Sequence, residues 1–442
     1  MGAGLSANAP HVPTTGSNKV LTGVYAIPAT HMQVKGVFTN TAPVEAYRGA
    51  GRPESIYVIE RLVERAARML GLDPIELRRR NFVGPDALPY RVTSGQSYHS
   101  VDFAQSMEEA LHRADVAGFA RRRALSEAAG HRRGLGLSCH LHTTSGMPGE
   151  RAVIEIDPAG RVTVDTASQS AGQGHETVFA TIAAELLGVP AAQISVRQGD
   201  TAHHAMGGGT GGSGSLVVTS TAIMRASRIL LKQARRLAAA QLDLPEAQIE
   251  YAEGRFRGRD RNVSIDVLEL ARLNGATLQG AAEFSPEGPS FPTGCHVCEV
   301  EIDPESGVVA LQRFTAVHDL GRVATPLLVE AQLHGGIVQG IGQALDENCR
   351  YDPDSGQLLA ASLLDYTLPR AAELPFIDVV LNGQPCASNA AGVKGAGEIG
   401  AIGAPPAVIN AIADALGRDD IAMPATADQI WRLLRMPMAP SR

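Results

Sequence analysis

Two stretches of the chain alternate apolar and polar residues in the same way. Residues 153–164 (VIEIDPAGRVTV) and 298–311 (CEVEIDPESGVVAL) each read as a strand, an Asp-Pro turn closing on glycine, and a second strand, the pattern of a β-hairpin. A polar loop and an apolar helix follow each of them. GQGHET (172–177) precedes a helix reaching Leu187, and VHDLGR (317–322) precedes one that carries Gln332 and Gln339. A strand-strand-loop-helix unit that occurs twice predicts two α+β subdomains facing each other, with their equivalent loops converging on the cleft between them.

Helices are also expected over 54–70, 101–129, 216–242 and 428–434, with a short one after Asp73-Pro74. Residues 407–416 (AVINAIADAL) have the i, i+3, i+4 apolar spacing of a helix. Pro405 and Pro406 are expected to stop the irregular backbone before it, which leaves Glu398 in a loop ahead of the helix. Residues 1–50 show short strand-like runs (20–25 and 33–38) and no helix, as if the chain opened in the middle of a sheet. Three spans result. Residues 1–130 form an N-terminal segment that a partner chain completes, 131–290 a first α+β subdomain, and 291–442 a second.

The chain has 442 residues, 44% of them apolar and 19% charged, with a net charge of -7. That is ample material for a core, and the acidic balance argues against nucleic acid as the principal partner. No apolar run approaches the ~18 to 20 residues that cross a bilayer. The first residues lack the basic and apolar regions of a secretory signal. Five cysteines, an odd number, do not suggest a disulfide framework, and a reducing, cytoplasmic setting is expected. Cys295 and Cys298 form a C-x-x-C without a second ligand pair, and on a strand they point to opposite faces. They read as buried structural thiols. The remaining histidines, His203 and His204 among them, show no metal-ligand spacing.

Three glycine-rich loops carry the candidate chemistry. In KGAGEIGAIGAPP (394–406) small residues strip away bulk and leave Lys394 and Glu398, so backbone can lie against a large ligand while one carboxylate points at it. AYRGAGRPE (46–54) bears Arg48 and Arg52 at the start of a helix, a junction that can hold an anion. GGGTGGSGS (207–215) opens the 216–242 helix and offers a nest of donors for phosphate. It lacks the Gly-Lys-Ser/Thr of a P-loop, and Ser215 stands where a nucleophile elbow needs glycine. Tyr366 lies in a loop expected to line the cleft.

Together with EAQLHGGIVQGIGQAL (330–345), these motifs resemble, in order and along essentially the whole chain, the molybdenum-cofactor-binding subunit of the xanthine dehydrogenase, aldehyde oxidase and carbon monoxide dehydrogenase family. The resemblance implies an α+β fold with paired subdomains and a molybdenum hydroxylase. Its cofactor would be molybdopterin cytosine dinucleotide with molybdenum, held through the pterin dithiolene. Glu398 matches the family's catalytic base, in a site able to move a carboxyl pKa toward the working pH. Gln173, Gly174, Ser213, Gln332, Lys394 and Gly397 match cofactor-contacting positions, and the backbone at Arg48 and Gly49 lies near the metal in relatives. Ala50 and Tyr366 are expected in the substrate pocket. The implied reaction inserts water-derived oxygen at an electron-poor carbon of an N-heterocycle or an aldehyde. Electrons would leave through partner subunits carrying 2Fe-2S clusters and FAD, or a cytochrome.

Three departures from the family pattern stand out. Gly49 occupies the place of the copper-binding cysteine of carbon monoxide dehydrogenases, and Ala50 that of the phenylalanine that stacks on purines. A further cofactor loop of the Gly-Gly-Gly-Phe-Gly-Gly type is missing, which suggests a split large subunit whose N-terminal half is a separate polypeptide. Two competing expectations are a non-catalytic scaffold or cofactor-insertion partner of the same fold, and a nucleotide-binding transferase using the 207–215 loop.

Overall fold

A computed structural model describes residues 2–3, 11–39, 41–43, 45–144, 149–203 and 209–437. Helices Val12–Lys19 (α1), Arg52–Leu70 (α2) and Phe103–Arg113 (α3) precede the first long strand, Arg132–Leu141 (β1). The first hairpin is Glu150–Ile156 (β2) with Val162–Thr166 (β3). Helix His175–Leu187 (α4), strand Ile194–Gln198 (β4), helix Ser215–Gln241 (α5) and strand Leu278–Phe284 (β5) follow it. The second hairpin, Thr293–Ile302 (β6) with Val309–Asp319 (β7), leads to helix Pro326–Leu345 (α6), strand Ile377–Leu381 (β8) and helix Ile399–Leu416 (α7). Each repeat is therefore longer than the sequence pattern predicts: hairpin, helix, a strand parallel to the second hairpin strand, and a further helix.

Two four-stranded sheets result, ordered β5-β2-β3-β4 and β8-β7-β6-β1. Their outer strands are exchanged. β1 runs along the chain into β2, yet it pairs antiparallel with β6, Cys139 opposite Cys295. β5 runs into β6, yet it pairs with β2, Leu278 opposite Ile156. The expected boundary at residue 131 puts β1 in the first subdomain by sequence, whereas its hydrogen bonds lie in the second sheet. Each exchanged strand is crossed closely by a helix. A Cβ at Gly280 of β5 would sit 2.1 Å from the Ala226 carbonyl of α5, and one at Gly136 of β1 would sit 2.2 Å from that of Ala407 in α7. The first sheet packs Ile154, Ile156 and Val164 against Phe179 and Leu230. The second packs Val300, Ile302 and Phe314 against Ile337, Ile409 and Ile412.

Three local expectations are corrected. Residues 12–19 are helical although proline, glycine and serine give them little propensity. Contacts hold them: Ser17 Oγ donates to the Gly51 carbonyl at 2.7 Å, and a Cβ at Gly16 would collide with the Ala50 carbonyl at 2.1 Å. Pro405 and Pro406 lie inside α7 rather than before it. They leave the carbonyls four residues back without helical donors, but every residue from 399 to 413 is buried, and α6 presents glycines to this surface, Gly340 facing Pro405. Burial outweighs the lost bonds. α7 is also long and apolar enough to cross a membrane by composition, with 89% of it buried inside the protein, so it is a core helix.

Candidate active site

Four helices begin at one cavity of about 620 Å³. Its wall is formed by Gly172 and Gln173 before α4, Gly211 to Ser213 before α5, Val323 to Thr325 before α6, and Ala396 to Glu398 before α7. In the repeat α4 corresponds to α6 and α5 to α7, so the equivalent loops do converge. The N-caps Gly174, Gly214, Thr325 and Glu398 make no side-chain capping bond. The first N–H groups of a helix have no intrahelical partner and the dipole there is positive, so four sets of backbone donors surround this space. The Thr325 hydroxyl is buried without a partner.

Glu398 projects from the N-cap of α7 and is fixed from three sides. Its Oε1 accepts the Gly49 N–H at 2.8 Å, and its Oε2 accepts the Ser213 hydroxyl at 2.7 Å. His142 Nε2, fully buried, lies 3.0 Å from Oε2 as an ion-pair contact without regular hydrogen-bond geometry. Both supporting residues have left-handed backbone, φ 89° at Gly49 and φ 56° at Ser213, and for serine that conformation is uncommon. Burial pushes the carboxyl pKa up, but the nearby His142 imidazole, the Ser213 hydroxyl and the Gly49 N–H outweigh it and lower the value to about 2. This corrects the expected shift toward neutrality: Glu398 stands ionised.

Arg48 braces the same loop. Its guanidinium donates to the Gly397 carbonyl, to Gln339 Oε1 at 2.8 Å, and to the Gln332 carbonyl at 2.9 Å and side chain at 3.1 Å. Arg52 is buried and bonds Thr143 Oγ1 at 3.0 Å. Both arginines thus hold the protein together rather than lie on its surface. Gln173 lines the cavity, with its Oε1 accepting the Ala171 N–H. Gly174 has φ 80°, and a Cβ there would meet Leu328 at 2.9 Å. Lys394 lines the cavity along its chain, but its ammonium is engaged by Asp319 Oδ2 at 2.5 Å and the Ser100 carbonyl at 2.9 Å.

Ala50 and Tyr366 do not reach the main cavity. They come together in a second one of about 420 Å³ on the other side of the 48–50 loop, with Arg48 lining both. There Tyr366 donates to Glu347 at 2.7 Å. Cys295 and Cys298 are buried in separate apolar clusters, on opposite faces of β6. His203 is exposed, while His204, Gly207 and Gly208 lie outside the described residues. Sequence reasoning missed His142, whose approach to Glu398 depends on where β1 pairs.

Residues 109–375 match the family described as molybdopterin cofactor-binding domain, and residues 1–82 match a second family with the same description. The carbon monoxide dehydrogenase large chain of Afipia carboxidovorans is 32% identical over 95% of this chain and 55% of its own length. The nicotine 6-hydroxylase large subunit of Paenarthrobacter nicotinovorans is 33% identical over 93% of this chain and 53% of its own. Among solved structures, quinoline 2-oxidoreductase from Pseudomonas putida 86 superposes with a TM-score of 0.91 at 32% identity, covering 98% of this chain and 59% of that one. The chain spans about half the length of these curated relatives.

Proposed function

The chain belongs to the molybdopterin cofactor-binding family, and from that premise we propose that it is the molybdenum-binding catalytic subunit of a multi-subunit hydroxylase. The observation that carries this reading is the convergence of four helix N-termini without side-chain caps on one cavity. Such a wall of backbone donors suits an anionic, phosphate-bearing cofactor, which fits molybdopterin cytosine dinucleotide. When bound, the cofactor supplies the metal that accepts two electrons from the substrate. Gln173, Gly174, Ser213, Gln332, Gly397 and the backbone of Arg48 and Gly49 hold it. Lys394 fixes the strand end at Asp319 beside it.

Glu398 is the proton acceptor. An ionised carboxylate is ready to take a proton, but one lowered to about 2 is a weak base until its donors are diverted. Ligand entry that draws the Ser213 hydroxyl or the Gly49 N–H away strengthens it at the moment it is needed. Gly49 offers no thiol, so copper ligation at this position is absent. The substrate is an N-heterocyclic aromatic or an aldehyde, approached from the side where Ala50 and Tyr366 meet. Partner subunits carrying 2Fe-2S clusters and FAD remove the electrons. The test is to purify the native complex, measure molybdenum, release the cofactor for nucleotide analysis, and screen N-heterocycles against aldehydes. Metal with cytosine nucleotide and turnover lost in Glu398→Gln supports the reading. Undiminished turnover in that variant assigns the chain a scaffold role.

A further inference from the structure

Beneath α7 the second sheet buries three histidines from three adjacent strands: His140 on β1, His296 on β6 and His318 on β7, each 0% exposed. The register sets His140 and His318 on either side of Gly294. That glycine makes room for them, since a Cβ there would lie 2.5 Å from His318 Nδ1 and 3.0 Å from His140 Nε2. From above, Gly403 of α7 does the same: its Cβ would lie 2.1 Å from His140 Cε1. Two elements have thus given up side chains to admit imidazoles.

The rings stand steeply to one another, with interplanar angles of 70°, 73° and 83° and centroids 4.5, 5.6 and 5.0 Å apart. His296 Nε2 and His318 Nε2 are 3.0 Å apart, and one nitrogen from each of the three rings lies within 4.8 Å of the other two. Tetrahedral zinc bonds of about 2.0–2.1 Å place imidazole nitrogens roughly 3.3 Å apart. His140 Nε2 is buried without a partner, and a buried polar group left unpaired calls for an explanation such as an ion.

We infer that His140, His296 and His318 form a structural binding site for a divalent first-row metal ion, zinc by its preference for imidazole, separate from the molybdenum site. Three protein ligands leave the fourth position to an exogenous donor. The ion would join the exchanged strand β1 to its adopted sheet, two residues from His142 and under the helix that carries Glu398. The inference does not depend on the hydroxylase reading.

The full-length protein, purified in its native assembly, is equilibrated with Zn²⁺, freed of excess ion, and analysed by plasma mass spectrometry and zinc-edge X-ray absorption. The expected result is about one zinc per chain beyond molybdenum and iron, with a nitrogen shell at about 2.0–2.1 Å. His140→Gln and His318→Gln should each lose that zinc while keeping molybdenum, and chelation should lower the thermal midpoint of the wild type until Zn²⁺ is restored. Wild-type protein without stoichiometric zinc overturns the site, as does zinc with a sulfur shell or zinc retained in folded forms of both variants. Should the variants fail to fold, the wild-type stoichiometry and shell decide.

Discussion

The two halves of the repeat share a frame and differ in what they bury. Around the first sheet the core is aliphatic and aromatic, from Ile154 to Leu230, and its loops bring neutral side chains to the cavity: Gln173 and Ser213. The second half buries His140, His296, His318, Lys394 and the contact between His142 and Glu398. The equivalence is closest where the halves meet, because Ser213 stands at the foot of α5 and Glu398 at the foot of its counterpart α7, and the hydroxyl donates to the carboxylate. A duplicated fold supplies matching helix termini twice over. Both halves bury carboxylates, Glu150 and Asp165 in the first, but the second half brings one, Glu398, to the cavity.

The largest expected effect that could break this asymmetry is Glu398→Gln. It should lower kcat about 10²- to 10⁴-fold with molybdenum content unchanged, and an equal loss from Ser213→Ala would mean that the halves share the role. Next is Lys394→Met, which strands Asp319 against a pair whose side chains are 1% and 14% exposed. The denaturant midpoint should report a loss of about 3 kcal/mol, where no comparable loss is expected from Gln173→Ala in the first half. Ser213→Ala should raise the Glu398 pKa, because it removes a hydroxyl that donates to the carboxylate, as titration of the carboxyl group would show.

The pH dependence sharpens the contrast further. The Glu398 pKa is depressed in the folded protein, from 4.5 to about 2. The stability it contributes is fully present above pH 4.5 and is lost as pH falls through about 2. Acid unfolding followed by circular dichroism should therefore be less steep in Glu398→Gln across that window, and kcat/KM should show no limb from Glu398 between pH 7 and 4.5. The smallest effect belongs to Gly174→Ala, about 1 kcal/mol for a Cβ at positive φ with Leu328 close enough to yield.

The hairpins were legible because an Asp-Pro turn closing on glycine flanked by alternating residues leaves few alternatives, and Glu398 and Ser213 because glycine-rich loops before helices announce close backbone approach. What stayed hidden depended on partners remote in sequence. Residues 12–19 take helical form from the carbonyls of Ala50 and Gly51, which no local propensity encodes. Pro405 and Pro406 stay helical because α6 packs glycines against them. His142 reaches Glu398 only because β1 pairs with β6, and the same pairing assembles the histidine cluster from strands that show no ligand spacing. Ala50 and Tyr366 share a cavity, but the turn at 48–50 places them behind Arg48 and away from the main one.

The exchanged strands carry a kinetic consequence during synthesis. Cys139 of β1 finds Cys295 of β6 only 156 residues later, an interval of roughly 10 to 30 s at ribosomal rates of about 5–20 residues per second. Until then β1 offers an unpaired, largely apolar edge to other nascent chains, and the first sheet waits for β5 to close it. The first sheet is complete in sequence once β5 ends at Phe284, whereas β1 must wait for β6, which begins at Thr293, so yield in a foreign host should depend on chaperone capacity and slow growth temperature more than on the stability of the finished protein.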